Sequence, residues 1–191
     1  MRSVLGRRFV RADGLPKVTG QARYTADLAL PGMLHAAFLH AGVARARVRR
    51  LDVGAARALP GVLAVMTQRD VPTVRYGAAV QDRTLFADGV VRFEGEILAA
   101  IAALTPEIAA RACHLIEVDL EELPPILDAE AALRPDAPLV HEEWRDYTAS
   151  DGIVRDGNDC AFVNIVKGDL DAGFAAADEI VTSRFAADMS H

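Results

Sequence analysis

The order of apolar and polar positions predicts a chain of short strands and helices. Residues 33–40 form an apolar run typical of a buried strand, and residues 46–53 alternate as a second strand does. A short helix is predicted at 54–59 and is ended by a proline–glycine turn, after which residues 62–67 indicate a fully buried strand. This strand–helix–strand order predicts an α/β or α+β fold.

The middle of the chain allows two interpretations. Residues 68–88 are polar with only scattered apolar positions, which predicts a long surface connection. Residues 90–93 and 96–104 then predict either a strand pair or one strand bent around Gly95, because a residue without a side chain suits a bulge. The pattern alone leaves both alternatives open.

The clearest helix start lies directly after this region. Thr105 is placed to cap the free amide groups, Pro106 fits the first helical position, and Glu107 favours the positive end of the helix dipole. Apolar residues then recur on one face as far as Ile116. We expect a helix here, followed by a strand at 117–120.

The two ends of the chain predict little core of their own. Residues 1–30 are rich in glycine and charge, which indicates an extended arm with short strands. A short helix capped by Asp128 is expected to lead into a turn-rich linker at 134–160. A helix at 169–177 and a strand at 179–185 complete the prediction.

Composition and charge exclude several classes of protein. With 51% hydrophobic and 25% charged residues, the chain has the composition of a folded globular protein. Its formal net charge of -6 argues against binding to a nucleic-acid backbone, which requires clustered cationic side chains. The one basic cluster is Arg45, Arg47, Arg49 and Arg50, and its alternation with apolar residues predicts the solvent face of a strand.

The cysteines and the N-terminus indicate a reducing, cytoplasmic protein. Cys113 and Cys160 lie far apart without zinc-site spacing, so neither a metal site nor a disulfide framework is predicted. Cys113 falls in a helical stretch and is expected to be a small buried apolar residue. The chain begins without an apolar signal segment, and no stretch reaches the roughly 18 apolar residues of a membrane span.

Carboxylates on one strand are the first candidate for acid–base chemistry. Glu117, Asp119 and Glu121 alternate with Val118 and Leu120, which places the acidic residues on the solvent face of the strand. We therefore expect them to be solvated rather than catalytic. The common phosphate-binding, dinucleotide-binding, metalloprotease and serine-hydrolase motifs are missing from the sequence.

The histidines and the single tryptophan are the remaining candidates. His35, His40, His114 and His141 are scattered without ligand spacing, and His35 and His40 are expected on opposite sides of one strand. Trp144 is expected to anchor a linker to a neighbouring surface. The sequence therefore predicts no catalytic, cofactor-binding or metal-binding residue in this chain.

Several short motifs nonetheless occur in a specific order over nearly the whole chain. The most distinctive is KVTGQARYTAD at 17–27, preceded by Gly6-Arg7-Arg8 and RADG at 11–14. The others are PGV at 60–62 with Val65, DVP at 70–72, Tyr76-Gly77, Asp82, DGVVRFEGE at 88–96, EVDLEELPP at 117–125, and KGD at 167–169 before Phe174 and Ala177-Asp178. Together they resemble the N-terminal part of the large subunit of the xanthine dehydrogenase and aldehyde oxidase family.

This resemblance implies an α/β hammerhead domain that packs on a molybdopterin-binding domain and lines part of the route to its active site. Such enzymes hydroxylate an aldehyde or an N-heterocycle with oxygen from water, at a molybdenum–molybdopterin cofactor. Electrons then leave through iron–sulfur clusters to FAD in partner domains or subunits. The implied segments are an arm at 1–30, the hammerhead at 31–133, a linker at 134–165, and the truncated start of the molybdopterin-binding domain at 166–191.

The resemblance also has departures and an implied end point. Ile97 stands where relatives often have proline, and Gly42-Val43 replaces a more usual turn, so no substrate is carried over from relatives. His191 resembles the histidine that opens the first cofactor-domain stretch, which implies that the cofactor loops and the catalytic glutamate lie beyond it. The isolated chain is then expected to be inactive, with residues 179–191 exposing a surface meant for a neighbouring domain.

A different class of function is also consistent with the residues. The chain could be a stand-alone interaction or small-ligand-binding module that reuses the hammerhead fold, because fold and function are separable. The two interpretations differ in residues 161–191, which we call the C-terminal arm and which should be apolar and exposed in the first and packed on its own core in the second. A homo-oligomer is compatible with either, and neither requires nucleic acid or a membrane.

Overall fold

The protein divides into two compact units. The computed structural model describes residue 6 and residues 8–162, 164–185 and 187. The first unit contains the residues up to Arg75 together with Thr84–Pro125, and the second contains Tyr76–Arg83 together with the residues from Ile126 onward. His191, which the resemblance places at a domain junction, lies outside the described residues.

Short strands and helices alternate along the chain, as the sequence predicts. The strands are β1 (His35–His40), β2 (Ala46–Asp52), β3 (Val62–Met66), β4 (Val90–Val91), β5 (Ile97–Ala103), β6 (Glu117–Glu122), β7 (Val154–Asp156) and β8 (Asp159–Phe162). The α-helices are α1 (Gly14–Val18), α2 (Gly54–Ala58), α3 (Pro106–His114), α4 (Ala129–Ala132) and α5 (Leu170–Ala175). The mixed α/β fold class is confirmed.

Two antiparallel sheets build the first unit. Sheet A has the strand order β1-β5-β3, and sheet B has the order β4-β2-β6. The inner face of sheet A carries Ile101 on the central strand, paired in register with Ala37 and Val65 on the two neighbours. Helix α3 packs on this face through Ala109 and Ala112, which are almost fully buried. The core is therefore rich in alanine, with few large side chains.

The opposite side of sheet A, which we call the outer face, is left uncovered by the described residues of its unit. In-register neighbours on this face form one row of Phe38, Ala100 and Met66 and a second row of Ala36, Ala102 and Ala64. All of them are half-buried or exposed. The prediction of a fully buried strand at 62–67 is therefore wrong on this side, because β3 is covered on its inner face alone.

Helix α3 begins where the sequence predicts. The hydroxyl of Thr105 accepts a hydrogen bond from the amide of Ile108 at 3.3 Å, and Pro106 occupies the first turn. The threonine cap and the proline together fix the helix start. Asp128 caps α4 and Asp169 caps α5 in the same way, through the amides of Ala131 and Ala172.

Residues 90–104 differ from both sequence alternatives. Val90–Val91 belongs to sheet B and Ile97–Ala103 to sheet A, so they neither pair with each other nor form one bent strand. The carboxylate of Glu96 accepts a hydrogen bond from the amide of Arg92 at 2.6 Å and closes the turn between them. This local closure turns the chain from one sheet to the other.

The predicted strands in the two arms are wrong. The described part of residues 8–30 contains helix α1 and a 3-10 turn at Thr25–Asp27, where the carboxylate of Asp27 accepts from the amide of Tyr24 at 2.8 Å. Residues 179–185 form no strand. An apolar alternation needs a neighbouring strand to complete its hydrogen bonds, and the described residues offer none to this segment.

Candidate functional site

The four histidines of the sequence prediction lie apart from one another. His35 is half-buried and His40 exposed on opposite sides of β1, as predicted, and the Nδ1 atom of His40 lies 2.6 Å from the carbonyl oxygen of Gly95. His114 ends helix α3 and His141 lies in the second unit. Among the residues that the structure describes, no three His, Cys, Asp or Glu side chains are grouped so as to hold a metal ion.

The basic cluster and the acidic strand form ion pairs with each other on sheet B. Glu121 accepts from both Arg47, at 3.5 Å, and Arg49, while Arg50 lies 3.3 Å from Glu117. All of these side chains are exposed, so the predicted solvent face of the strands is confirmed for β2 and β6. Arg45 differs from the others because it is buried and donates to the carbonyl oxygen of Pro124 at 3.1 Å.

Two arginines of the first unit also pair with aspartates. Arg50 also binds Asp52, whose pKa is held below its ordinary value by the Gly54 amide and by this guanidinium. Arg57 binds Asp70 at 3.1 Å, and the pKa of Asp70 is lowered by the Thr67 hydroxyl and amide together with that guanidinium. Arg50 and Arg57 are thus engaged by carboxylates.

Glu96 is the one carboxylate among the described residues of the first unit whose pKa is raised. Burial is the main cause, and the hydrogen bond from the Arg92 amide opposes it. Because its folded-state pKa lies above the unfolded value, the stabilising contribution is present at low pH and is lost as pH rises through the folded-state pKa. Burial of the ionised Glu96 carboxylate therefore lowers the free energy of unfolding at pH 7. An uncharged side chain at this position would remove that loss.

Glu96→Gln is expected to make the protein more stable near pH 7 by less than about 1 kcal/mol, since glutamine keeps the acceptor for the Arg92 amide without the charge. The difference should disappear as pH falls below the unfolded-state pKa of glutamate, about 4.3, because the side chain is then neutral in both the folded and the unfolded state. Urea unfolding of both proteins across this pH range measures it. A variant that is less stable than the wild type near neutral pH would contradict the assignment.

The second unit contains a half-open cavity of about 390 Å³. Its walls combine aliphatic side chains, including Val80, Ile126 and Val140, with the rings of Trp144 and Tyr147. Cys160, which is exposed, lies at the same cavity. The volume falls within the range of small-molecule pockets, which start at about 300 Å³.

A hydrogen-bond network holds one wall of this cavity. Tyr147 is buried, with 5% of its surface exposed. Its hydroxyl lies 2.9 Å from Nδ1 of His141 and donates to the carboxylate of Glu143 at 3.2 Å. Since a phenol has one hydrogen, the His141 Nδ1–H is the donor to the phenolic oxygen. The guanidinium of Arg155 donates to the backbone carbonyl oxygen of Tyr147 at 2.7 Å.

Asn158 fastens a second wall of the cavity. Its amide oxygen accepts from the amide of Val140 at 2.9 Å, and its amide nitrogen donates to the carbonyl oxygens of Ala132 and Pro138, both at 3.0 Å. Sequence reasoning missed both this clamp and the His141–Tyr147 contact. The signal for them was a dense polar and aromatic stretch, but its partners are set by loop geometry that residue spacing does not encode.

Trp144 takes a different place from the one expected of a linker anchor. Its ring lines the cavity of the second unit and lies beneath the guanidinium of Arg145, whose central carbon is 4.3 Å from the ring centroid. The β7–β8 hairpin, which lies inside the region predicted as a linker, supplies further cavity residues. Trp144 is therefore packed within its own unit.

The C-terminal arm of the second unit exposes apolar side chains. Ile165 is 88% exposed, Val181 is 77% exposed and Phe185 is 91% exposed. The N-terminal arm of the first unit shows the same property, with Val10 at 99% and Val18 at 83%. Exposed apolar side chains on both arms make these segments candidates for contact with another domain. No helix in the described part of the chain is long and apolar enough to cross a membrane.

Several known proteins are similar to this chain. The model of the "Aldehyde oxidase and xanthine dehydrogenase, a/b hammerhead domain" family matches residues 19–124. The chain is 37% identical to a probable xanthine dehydrogenase subunit of Bacillus subtilis, over 90% of this chain and 21% of that protein. It is 34% identical to the nicotinate dehydrogenase large molybdopterin subunit of Eubacterium barkeri, over 95% of this chain and 40% of that protein.

Solved structures agree with these matches. The Cu,Mo-CO dehydrogenase in its carbon monoxide reduced state aligns with a TM-score of 0.70 and 33% identity, over 91% of this chain and 23% of that chain. Quinoline 2-oxidoreductase from Pseudomonas putida 86 aligns with a TM-score of 0.64 and 40% identity, over 72% and 19%. The chain thus spans between about a fifth and two fifths of the length of these relatives.

Proposed function

Because the chain belongs to the aldehyde oxidase and xanthine dehydrogenase family and carries the hammerhead domain of a molybdenum hydroxylase large subunit, we propose that it is the scaffold of such an enzyme. In this proposal the enzyme hydroxylates an aldehyde or an N-heterocycle with oxygen from water. The adjoining molybdopterin-binding domain holds the molybdenum cofactor, and iron–sulfur and FAD domains or subunits take the electrons. The chain itself supplies structure and contact surface.

One observation carries the proposal beyond family membership. The C-terminal arm leaves Ile165, Val181 and Phe185 almost fully exposed to solvent instead of packing them on the second unit. A self-sufficient module would bury such side chains, because each exposed leucine-sized residue forgoes about 1.5–3 kcal/mol of burial. Their exposure fits an arm that continues into a neighbouring domain.

The segment boundaries and the location of the protein belong to the same proposal. The hammerhead occupies 31–133, flanked by the arm at 1–30, with the linker at 134–165 and the start of the molybdopterin-binding domain at 166–191. Cys113 and Cys160 are free thiols, and burial raises the pKa of Cys113. The two unpaired thiols suit the reducing conditions of the cytoplasm.

Metal analysis and activity assays test the proposal directly. We expect the purified chain to contain no stoichiometric molybdenum and to oxidise neither aldehydes nor purines with an artificial electron acceptor. The chain produced together with the molybdopterin-binding polypeptide of its source organism is expected to contain molybdenum and to turn over. Stoichiometric molybdenum in the chain alone, or a co-purified complex without molybdenum, would contradict the scaffold role.

A small-ligand-binding module is the second candidate, and the cavity of the second unit favours it. Ligand-detected NMR with quinoline as a probe separates the two functions. Saturable binding of quinoline that Ala132→Phe abolishes by filling the cavity would support the module; Ala131→Phe, outside the cavity lining, is the matched control. Under the scaffold function we expect no saturable binding at millimolar quinoline.

A further inference from the structure

The outer face of sheet A has the composition of an interior while standing open to solvent. Its two rows, Phe38–Ala100–Met66 and Ala36–Ala102–Ala64, contain no polar side chain. Phe38 is 52% exposed and Met66 is 43% exposed. Antiparallel sheets with one face in water normally alternate apolar and polar positions, and β1, β3 and β5 do not.

Sheet B provides a comparison within the same unit. Its solvent face carries Arg47, Arg49 and Arg50 on β2, opposite Glu117, Asp119 and Glu121 on β6. The first unit therefore makes a charged face where a sheet meets water. The outer face of sheet A departs from that pattern in both rows, with His40 as a polar side chain at the end of β1, and this marks the rows as a surface to be covered.

The shape of the outer face indicates what covers it. The central strand β5 contributes only the methyl groups of Ala100 and Ala102, while Phe38 and Met66 stand on the flanking strands. Flanking strands of a three-stranded sheet lie about 10 Å apart, since neighbours are separated by about 4.8 Å. A shallow channel of this width with a floor of alanine accepts an α-helix, whose diameter with side chains is about 10–12 Å.

We propose that the outer face binds the apolar side of one α-helix from the large-subunit polypeptide that lies outside this chain, with the helix laid along β5. This inference rests on the scaffold function proposed above. The relatives supply the occupant's source, because this chain spans only 19–40% of the length of those compared. A second copy fits less well, since two such faces would set alanine floor against alanine floor and leave a void.

Thiol labelling tests the inference at single-residue resolution. In a Cys113→Ala, Cys160→Ser background, Ala102→Cys places a thiol on the floor of the channel. Ala110→Cys, at an exposed position of helix α3, is the matched control. Maleimide labelling rates are measured in the isolated chain and in its complex with the molybdopterin-binding polypeptide of the source organism, and the molybdenum content of the same complex is recorded.

We expect complex formation to slow labelling at position 102 by at least about tenfold and to leave position 110 within about twofold, because thiol reactivity follows accessibility. Labelling at 102 that stays open in the complex, or equal protection at both positions, overturns the inference. Protection of 102 in the isolated chain at micromolar concentration, relieved on dilution, overturns it in favour of self-association. Failure to form a complex overturns it as well.

The molybdenum measurement separates this inference from the function on which it rests. If labelling at position 102 is slowed in a complex that contains no molybdenum, the docking face is supported and the enzyme assignment is contradicted. If the complex contains molybdenum and position 102 is still labelled at the rate of the isolated chain, the enzyme assignment stands and the docking face is contradicted. Ala102→Lys, compared with Ala110→Lys, gives a second readout, because a buried lysine in the channel should prevent complex formation and a lysine on α3 should not.

Discussion

Replacing Ile101 with alanine is expected to lower the free energy of unfolding of the first unit by about 2–5 kcal/mol. Ile101 is 1% exposed and lies at the centre of the inner face of sheet A, between Ala37 and Val65. It is one of the few large side chains of the core, whose other buried members include Ala109 and Ala112. Alanine neighbours cannot reach into a vacated site, so the cavity left behind should stay open.

Urea unfolding followed by far-ultraviolet circular dichroism measures this loss. Trp144 belongs to the second unit, so its fluorescence is not the probe for this change. Ile101→Val is the matched control, with an expected cost of about 0.5–1.5 kcal/mol because one methylene group is removed. A cost for Ile101→Ala no larger than that for Ile101→Val would show that the site collapses after all.

Gly61→Ala is expected to cost about 1–3 kcal/mol, the range typical of a strained backbone position. Gly61 has a φ of 90°, and a Cβ atom placed there would lie 2.7 Å from Cδ1 of Ile108 on helix α3. The carbonyl oxygen of Gly61 also accepts from the amide of Leu104 at 2.9 Å, so the turn cannot shift freely. The substitution therefore adds a steric contact to an unfavourable dihedral angle.

Gly89→Ala isolates the two contributions. Gly89 has a φ of 75°, but nothing lies within 4 Å of a Cβ atom built there, so it carries the dihedral penalty alone. We expect it to cost about 1 kcal/mol. Denaturant unfolding of both variants gives the difference, which is the free-energy cost of the Ile108 contact. Equal costs at the two positions would show that Ile108 moves aside.

Local signals were enough to predict the features that depend on neighbouring residues. Helix α3 follows from Thr105 and Pro106 because capping acts within one turn. The charged solvent face of β2 and β6 follows from alternation, because side chains on a strand point to opposite sides in turn. The resemblance carried by KVTGQARYTAD and EVDLEELPP correctly identified the family.

Pairing between distant segments was the main source of error. The sequence at 90–104 predicts a strand pair or one bent strand, but Val90–Val91 pairs with β2 and Ile97–Ala103 pairs with β1 and β3. Residues 179–185 alternate like a strand and have no partner among the described residues. Strand propensity measures fit to a pleated surface, and it does not say which surface is present.

The candidate site also combines features that local sequence predicts with features that depend on tertiary structure. No catalytic constellation has a convincing spacing in the sequence, and the structure keeps the four histidines apart. The network of His141, Glu143 and Tyr147 went unnoticed because it depends on a loop that brings positions two to six residues apart onto one phenolic oxygen. Loops of this kind follow from tertiary packing as much as from local residue preference.

The division of the chain into interleaved units has a consequence for its synthesis on the ribosome. Residues Tyr76–Arg83 belong with the segment after Ile126, and the amide of Gln81 donates to the carbonyl oxygen of Thr148. At about 5–20 residues per second, translation takes roughly 3–13 s to run from residue 83 to residue 148. During that delay this loop emerges without its partner. Slow codons between the two positions would lengthen the time for which it is open to proteases and chaperones.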